Sequence, residues 1–206
     1  MKKGLLIAFE GIDGTGKSTQ LPLLAQWLRQ QNYNVVETRE PTDGFYGMQI
    51  RKLYQNRSLV SPEEELNLFL LDRQEHVREC IQPALDKGQI ILTDRYYFST
   101  AAYQGAAACD PEEIFRLHTF APKPDLVLLL TMPVSESLAR IRKFRGEQLN
   151  DFEQQEQLEK VATFFASFPQ KCIVRIQAAD LVQNVQMAIR HVVQQLLEDK
   201  GVACIG

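Results

Sequence analysis

Surplus positive charge is missing from this 206-residue sequence: 23 lysines and arginines stand against 26 aspartates and glutamates, a net charge of −3. General binding to nucleic acid or to an anionic membrane is therefore not expected, although a local basic site remains open. Cysteine is scarce. Cys80, Cys109, Cys172 and Cys204 lie too far apart for a Cys-x-x-Cys pair, so neither a zinc site nor a disulfide scaffold is indicated, and a reducing compartment fits. The three histidines, His76, His118 and His191, are scattered and read as ordinary surface or core residues. No apolar run approaches the ~18 residues of a membrane span. Lys2 and Lys3 ahead of Leu5–Phe9 imitate a signal peptide, but the run is too short and stops at Glu10, so a cytoplasmic protein is expected. Internal repeats and linkers rich in Pro, Gly or Ser are also absent, and one domain over residues 1–206 is the expectation.

What is present is ordinary in amount and ordered in pattern. Hydrophobic residues make up 45% and charged residues 24%, which excludes disordered and collagen-like classes. Short apolar runs alternate with helical spacing. Leu5–Phe9, Val35 to about Thr38, Gln89–Asp94, Leu126–Leu130 and Cys172–Ile176 read as strands, several of them buried on both faces. Between them, Leu21, Leu24, Ala25 and Leu28 recur at helical spacing, with Pro22 awkward near that start. Ser61-Pro62-Glu63-Glu64 opens one long helix carrying Leu66, Phe69, Leu70, Val77, Ile81 and Leu85 and ended by Gly88. Asp110-Pro111-Glu112-Glu113 opens another, and further helices cover Ser135–Arg145, Glu153–Phe165 and a last stretch from Val185 to Leu196. Strands alternating with helices predict a five-stranded parallel sheet inside a three-layer α/β sandwich, with the site beyond the carboxyl ends of the strands.

Gly11-Ile12-Asp13-Gly14-Thr15-Gly16-Lys17-Ser18 matches the phosphate-loop pattern G-x-x-x-x-G-K-[ST]. Glycines let the backbone curl so that N–H groups point at phosphate oxygens, and the following helix adds its positive end. Lys17 would bridge the β- and γ-phosphates of a nucleotide, and the Ser18 hydroxyl would hold Mg²⁺. A buried strand before the loop and an amphipathic helix after it supply the required context. The loop names a nucleotide and not a reaction. A base-reading Asn-Lys-x-Asp, as a GTPase would carry, is absent.

Other residues could complete such a site. Asp94 and Arg95 end the third strand. Asp94 could order Mg²⁺-bound water and Arg95 could grip a second phosphate, or the two could be a salt-bridged pair. Phe69 and Arg73, at i and i+4, could stack on a base and bond its edge, or be one core and one solvated residue. Arg140, Arg142, Lys143 and Arg145 could close on the γ-phosphate, or form a solvated helix face.

Several motifs in order resemble a known family. Phe9-Glu10-Gly11-Ile12-Asp13-Gly14-Thr15-Gly16-Lys17-Ser18-Thr19-Gln20 resembles the opening of bacterial thymidylate kinases. So do Thr38-Arg39-Glu40-Pro41-Thr42, Asp94-Arg95-Tyr96 with Ser99, Ala102-Tyr103-Gln104-Gly105, Pro124-Asp125-Leu126 and Ile176-Gln177-Ala178. The resemblance implies a P-loop nucleoside monophosphate kinase-like fold and transfer of the ATP γ-phosphoryl group to dTMP, giving dTDP and ADP. It implies ATP with Mg²⁺, a homodimer packed through helices, and a lid at about 140–153. Residues 11–19, with Arg140 and Ala178, would hold ATP, with adenine near Ala178. Asp13 would meet the acceptor's 3′-hydroxyl or phosphate region, and Arg39 and Glu40 would shape its pocket, with the Glu40–Pro41 bond cis. Phe69 would stack on thymine, Arg73 would bond its O4 edge, and Arg95, with Ser99 in the same signature, would hold the acceptor phosphate. Tyr103 would crowd the sugar's 2′ position, and Gln104 would lie beside the base. Lys17, Arg95, Arg145 and Asp13 would carry the chemistry. The sequence departs from the family where lids carry Asp-Arg-x-Glu: here Leu149-Asn150-Asp151-Phe152-Glu153 keeps only Glu153, so the lid must rest on Arg140, Arg142 or Arg145. Thr42-Asp43-Gly44-Phe45-Tyr46-Gly47 also differs from the commoner Gly-Gly-Thr form. Two rivals stay open: a kinase for another acceptor (dUMP, CMP or a deoxynucleoside), and a protein that binds nucleotide without transferring phosphate.

Overall fold

The computed structural model describes residues 4–53, 60–145 and 151–202; of Phe144, Arg145 and residues 151–154 it describes the backbone alone. Five strands, β1 (Leu5–Glu10), β2 (Val35–Arg39), β3 (Ile90–Asp94), β4 (Leu126–Thr131) and β5 (Ile173–Gln177), form one sheet in the order β2-β3-β1-β4-β5. Every pairing is parallel. The central strand β1 is buried throughout, which its unbroken apolar run requires.

Alternation along β1 builds two cores. Leu5, Ile7 and Phe9 pack with Leu21, Leu24 and Leu28 of α1 (Lys17–Gln30) and with Val185, Ile189 and Val193 of α9 (Val182–Asp199). Leu6 and Ala8 point the other way. They pack with Phe98 and Ala101 of α5 (Tyr97–Ala106), Ile114 of α6 (Pro111–Leu117), and Val161 and Phe165 of α8 (Asp151–Ser167). The result is a three-layer α/β sandwich, as the strand pattern predicts.

Local structure departs from the expectations in three places. The long helix opened by Ser61 is not continuous: α3 (Pro62–His76) gives way to a π-helical turn, Val77–Ile81, and then to α4 (Gln82–Asp86). In that turn the Gln82 N–H reaches back five residues to the Val77 carbonyl. The extra residue precedes Pro83, which has no N–H to give and whose ring would crowd a regular α-turn. The pattern also missed α2 (Phe45–Leu53) and α5. α7 (Val134–Arg145) falls where expected, and α1 runs through Pro22 without ending. Among the described residues no helix is long and apolar enough to cross a membrane.

Candidate active site at the carboxyl ends of the strands

Register places the site. Phe9 on β1 is opposite Asp94 on β3, and Arg39 on β2 is opposite the same Asp94. The loop leaving β1 therefore meets the residues leaving β2 and β3 at one rim of the sheet. On the far side, Thr131 pairs with Gln177, and the Ala178 N–H bonds the Thr131 carbonyl at 2.8 Å.

The phosphate loop turns sharply away from β1. Gly11 has φ 131°, and a Cβ there would lie 2.3 Å from the Leu130 carbonyl oxygen, so only glycine passes. Gly16 (φ 94°) starts α1 without any side-chain cap, leaving the helix start for another acceptor. Thr15 is buried and its hydroxyl bonds the Ile12 carbonyl at 2.9 Å. Lys17 folds back into the loop, Nζ donating to the carbonyls of Gly11 and Ile12, both at 2.9 Å. Burial, with the Arg95 charge adding, pushes Lys17 down to about 8. Asp13 and Gly14 lie half-buried in the loop, and Thr19 is exposed on the first turn of α1.

Arg95 sits beside this loop with φ 74°, a left-handed conformation uncommon for a side-chain-bearing residue. Its N–H bonds the Phe9 carbonyl at 2.9 Å, and its carbonyl accepts the Thr93 hydroxyl at 2.8 Å. The guanidinium meets Asp13 Oδ1 at 2.7 Å and Ser99 Oγ at 2.8 Å and lies 5.1 Å from the Tyr103 ring centroid. The Tyr103 hydroxyl is 3.4 Å from Asp13 Oδ2. Asp13, Arg95, Ser99 and Tyr103 are thus one cluster.

Ser18 Oγ donates to Asp94 Oδ2 at 2.7 Å, while Asp94 Oδ1 is buried with no partner. No group of three or more His, Cys, Asp or Glu that could hold a metal occurs among the described residues. A hydroxyl next to one orphaned carboxylate oxygen fits Mg²⁺, which keeps waters and takes phosphate oxygens and few protein ligands.

Toward β2 the site is backed by a buried ionic network. Glu40 is 6% exposed and Arg73 1%. Arg73 Nε donates to Glu40 Oε2 at 2.9 Å, Nη2 bonds the same oxygen and Thr100 Oγ1 (3.1 Å), and Nη1 bonds His118 Nε2. His76 Nδ1 lies 2.9 Å from Glu40 Oε1. Burial works against the Glu40 carboxylate, but the Arg73 charge and the His76 bond outweigh it and hold Glu40 below the usual carboxylate range. Arg73 is therefore neither solvated nor open: most of its donors are engaged. Phe69, one turn earlier, is half-buried and belongs to neither core cluster. Gln104 is buried, and its Oε1 has no partner. The Glu40–Pro41 bond is cis. Arg39 is exposed and bonds Asp43 at 2.8 Å, and Arg51, which the sequence reading passed over, bonds the same Asp43 oxygen.

On the opposite flank Arg140 Nη2 donates to the Ala178 carbonyl at 3.0 Å, joining two residues assigned to one nucleotide. Arg142 and Lys143 are exposed. The Arg145 side chain, residues 146–150, the Glu153 side chain and Cys204 lie outside the described residues. Sequence reasoning also missed Glu10, Asp72, His76 and His118. Asp72 takes the Thr42 N–H at 3.0 Å and so holds the loop after Pro41. The available signal was position: Asp72, Arg73 and His76 are polar residues on the buried face of α3.

A parallel sheet with a phosphate loop at its central strand and a guanidinium at the neighbouring strand end defines a class, the P-loop nucleoside monophosphate kinases. Within it the chain belongs to the thymidylate kinase family: the Thymidylate kinase family model matches residues 9–189. A thymidylate kinase of Desulfotalea psychrophila is 52% identical over 95% of this chain and 96% of its own length. One from Xanthomonas campestris is 45% identical over 90% of this chain and 82% of its own. A probable thymidylate kinase of Pyrococcus horikoshii is 44% identical over 92% and 97%.

Proposed function

We propose that this enzyme transfers the γ-phosphoryl group of ATP to dTMP, with Mg²⁺, giving dTDP and ADP. An oxygen of the acceptor's 5′-phosphate attacks the γ-phosphorus, the bond to the β–γ bridging oxygen breaks, and ADP leaves. The acceptor is already an anion, so no strong general base is needed. The task is to align two repelling anions and spread the migrating charge. One observation carries the reading: the Phe9–Asp94 register sets the Lys17 loop beside the Arg95 guanidinium, which supports one phosphate seat at each of two adjacent strand ends.

Lys17, the loop N–H groups and Ser18 serve the donor, with Arg140 and Ala178 near its base. Arg95, Asp13, Ser99 and Tyr103 serve the acceptor's phosphate and sugar, and Phe69, Arg73 and Gln104 its base. The orphaned Gln104 Oε1 is an acceptor that the N3–H of thymine or uracil satisfies and that cytosine, with no N3–H, leaves empty. Arg39 and Glu40 bound this pocket, Glu40 by holding Arg73. The chain works as one domain, with a lid over about 140–153 whose arginine meets the transferring group. Free thiols at Cys80, Cys109 and Cys172 favour a reducing cytoplasm. A homodimer is supported by exposed Phe120 (40%), which lines a cleft with Val77 and Pro83, and by exposed Leu117 (39%) three residues earlier, and sedimentation tests it.

The test is an acceptor panel of dTMP, dUMP, CMP and AMP at fixed ATP and Mg²⁺, read by coupled ADP release. Turnover should be fastest with dTMP. ADP formation independent of acceptor, or preference for a ribonucleotide, contradicts the reading.

A further inference from the structure

Glu10 is the last residue of β1 and is fully buried, one step before the phosphate loop. Its Oε1 accepts the N–H of Tyr96 at 2.9 Å and of Ser99 at 3.1 Å. Tyr96 and Ser99 are the N-cap and third residue of α5, and Tyr96 supplies no capping bond of its own. Glu10 is thus the cap of α5, delivered from a strand 86 residues earlier. Its Oε2 accepts the Ser99 hydroxyl. Having donated its only proton to Glu10, Ser99 Oγ is left as an acceptor, and Arg95 Nη1 donates to it at 2.8 Å. The chain of contacts runs from carboxylate to hydroxyl to guanidinium.

We infer that Glu10 is a positioning residue that, through the Ser99 hydroxyl, aims Arg95 at the acceptor phosphate, and that it does so as the carboxylate. A protonated Glu10 would offer its own O–H to Ser99. The hydroxyl could then turn its proton toward Arg95, which can only donate, and the link would break. The surroundings allow that change near neutrality. Burial raises Glu10, and the Ser99 bond and the Arg95 charge only partly offset it, so the group stands at about 7. The charged and titratable groups around it are Arg95, Tyr96 and Tyr97 on the β3–α5 side and Lys17 in the loop; on β4 it faces Leu129. Asp13 and Asp94 act on the same two cations. The inference rests on the reading of Arg95 as the holder of the acceptor phosphate.

The test compares the unaltered chain with Glu10→Gln, Ser99→Ala and the double variant, using ATP, Mg²⁺ and dTMP. Calorimetric dTMP affinity and the KM for dTMP should worsen on the order of tenfold to a hundredfold in each single variant, as misaimed binding groups do, while the KM for ATP stays nearly constant. The double variant should be no worse than the worse single one. The ratio of kcat/KM for dTMP between the unaltered chain and Glu10→Gln, in which the titration of dTMP itself cancels, should climb with pH through about 7 and then level. A flat ratio, equal losses toward both nucleotides, or additive losses would overturn the inference. If Glu10→Gln fails to fold, Ser99→Ala decides alone, since it removes the link and spares the backbone bonds; unchanged dTMP affinity then overturns it. An unaltered chain that releases no ADP with dTMP sinks the functional reading instead.

Discussion

Lys17 has its ammonium closed onto two loop carbonyls and pulled down to about 8 by burial. A triphosphate entering the loop reverses that balance, because its charge favours the protonated amine. Binding of a non-hydrolysable ATP analogue near pH 8 should therefore take up protons, seen as heats that differ between buffers of different ionisation enthalpy. Lys17→Ala should abolish the difference; equal heats in the unaltered chain contradict the assignment. Removing one preorganised donor of charge stabilisation costs on the order of 100-fold, so Lys17→Ala and Arg95→Ala should each lower dTMP-dependent ADP release at least that far. Near-normal rates in both would refute their roles. Lys17 and Ser18 were legible because their motif is contiguous. Arg73 was only half legible: its spacing to Phe69 is local, but the Glu40 that engages it is 33 residues away.

Helix ends divide along the same line. α3 begins with a complete capping box, Ser61 and Glu64 exchanging bonds at 3.2 and 2.8 Å, and α6 with Asp110 bonding the Glu112 N–H at 3.0 Å. Both starts could be read from four consecutive residues. Ser61→Ala should lower the unfolding free energy by about 1 kcal/mol, measured by urea denaturation with unchanged slope. No change would mean that the exposed box adds nothing to stability. α5 was illegible for a physical reason: its cap is Glu10, on another element. α2 has no acidic residue in its first turn, and the Asp72 that holds the preceding loop lies beyond it in sequence. The π-turn escaped too, because helical periodicity barely registers a single added residue.

At the scale of the molecule, the parallel sheet and its rim follow from five apolar runs and the loops between them. The Glu40–Arg73–His76–His118 network does not, since it joins the residue after β2, the buried face of α3 and the residue that caps the end of α6. It also makes a prediction about pH. Burial opposes the charge on His76, but bonds to Cys80 and Glu40 overcome it and lift the group to about 9, above its ordinary 6.5. Below pH 6.5 folded and unfolded chains both hold the proton and the pair contributes fully. Between 6.5 and 9 only the folded chain holds it, so the contribution falls as pH rises. The Tm gap between the unaltered chain and His76→Gln should be widest below pH 6.5 and shrink toward pH 9. A gap that widens with pH would contradict the pairing.

The central claim is that two nucleotides bind at once, one on the Lys17 loop and one on Arg95. Calorimetric titration of dTMP into protein saturated with Mg²⁺ and a non-hydrolysable ATP analogue tests it most directly. The account predicts one dTMP bound per chain with the analogue still in place; displacement of the analogue by dTMP would contradict it.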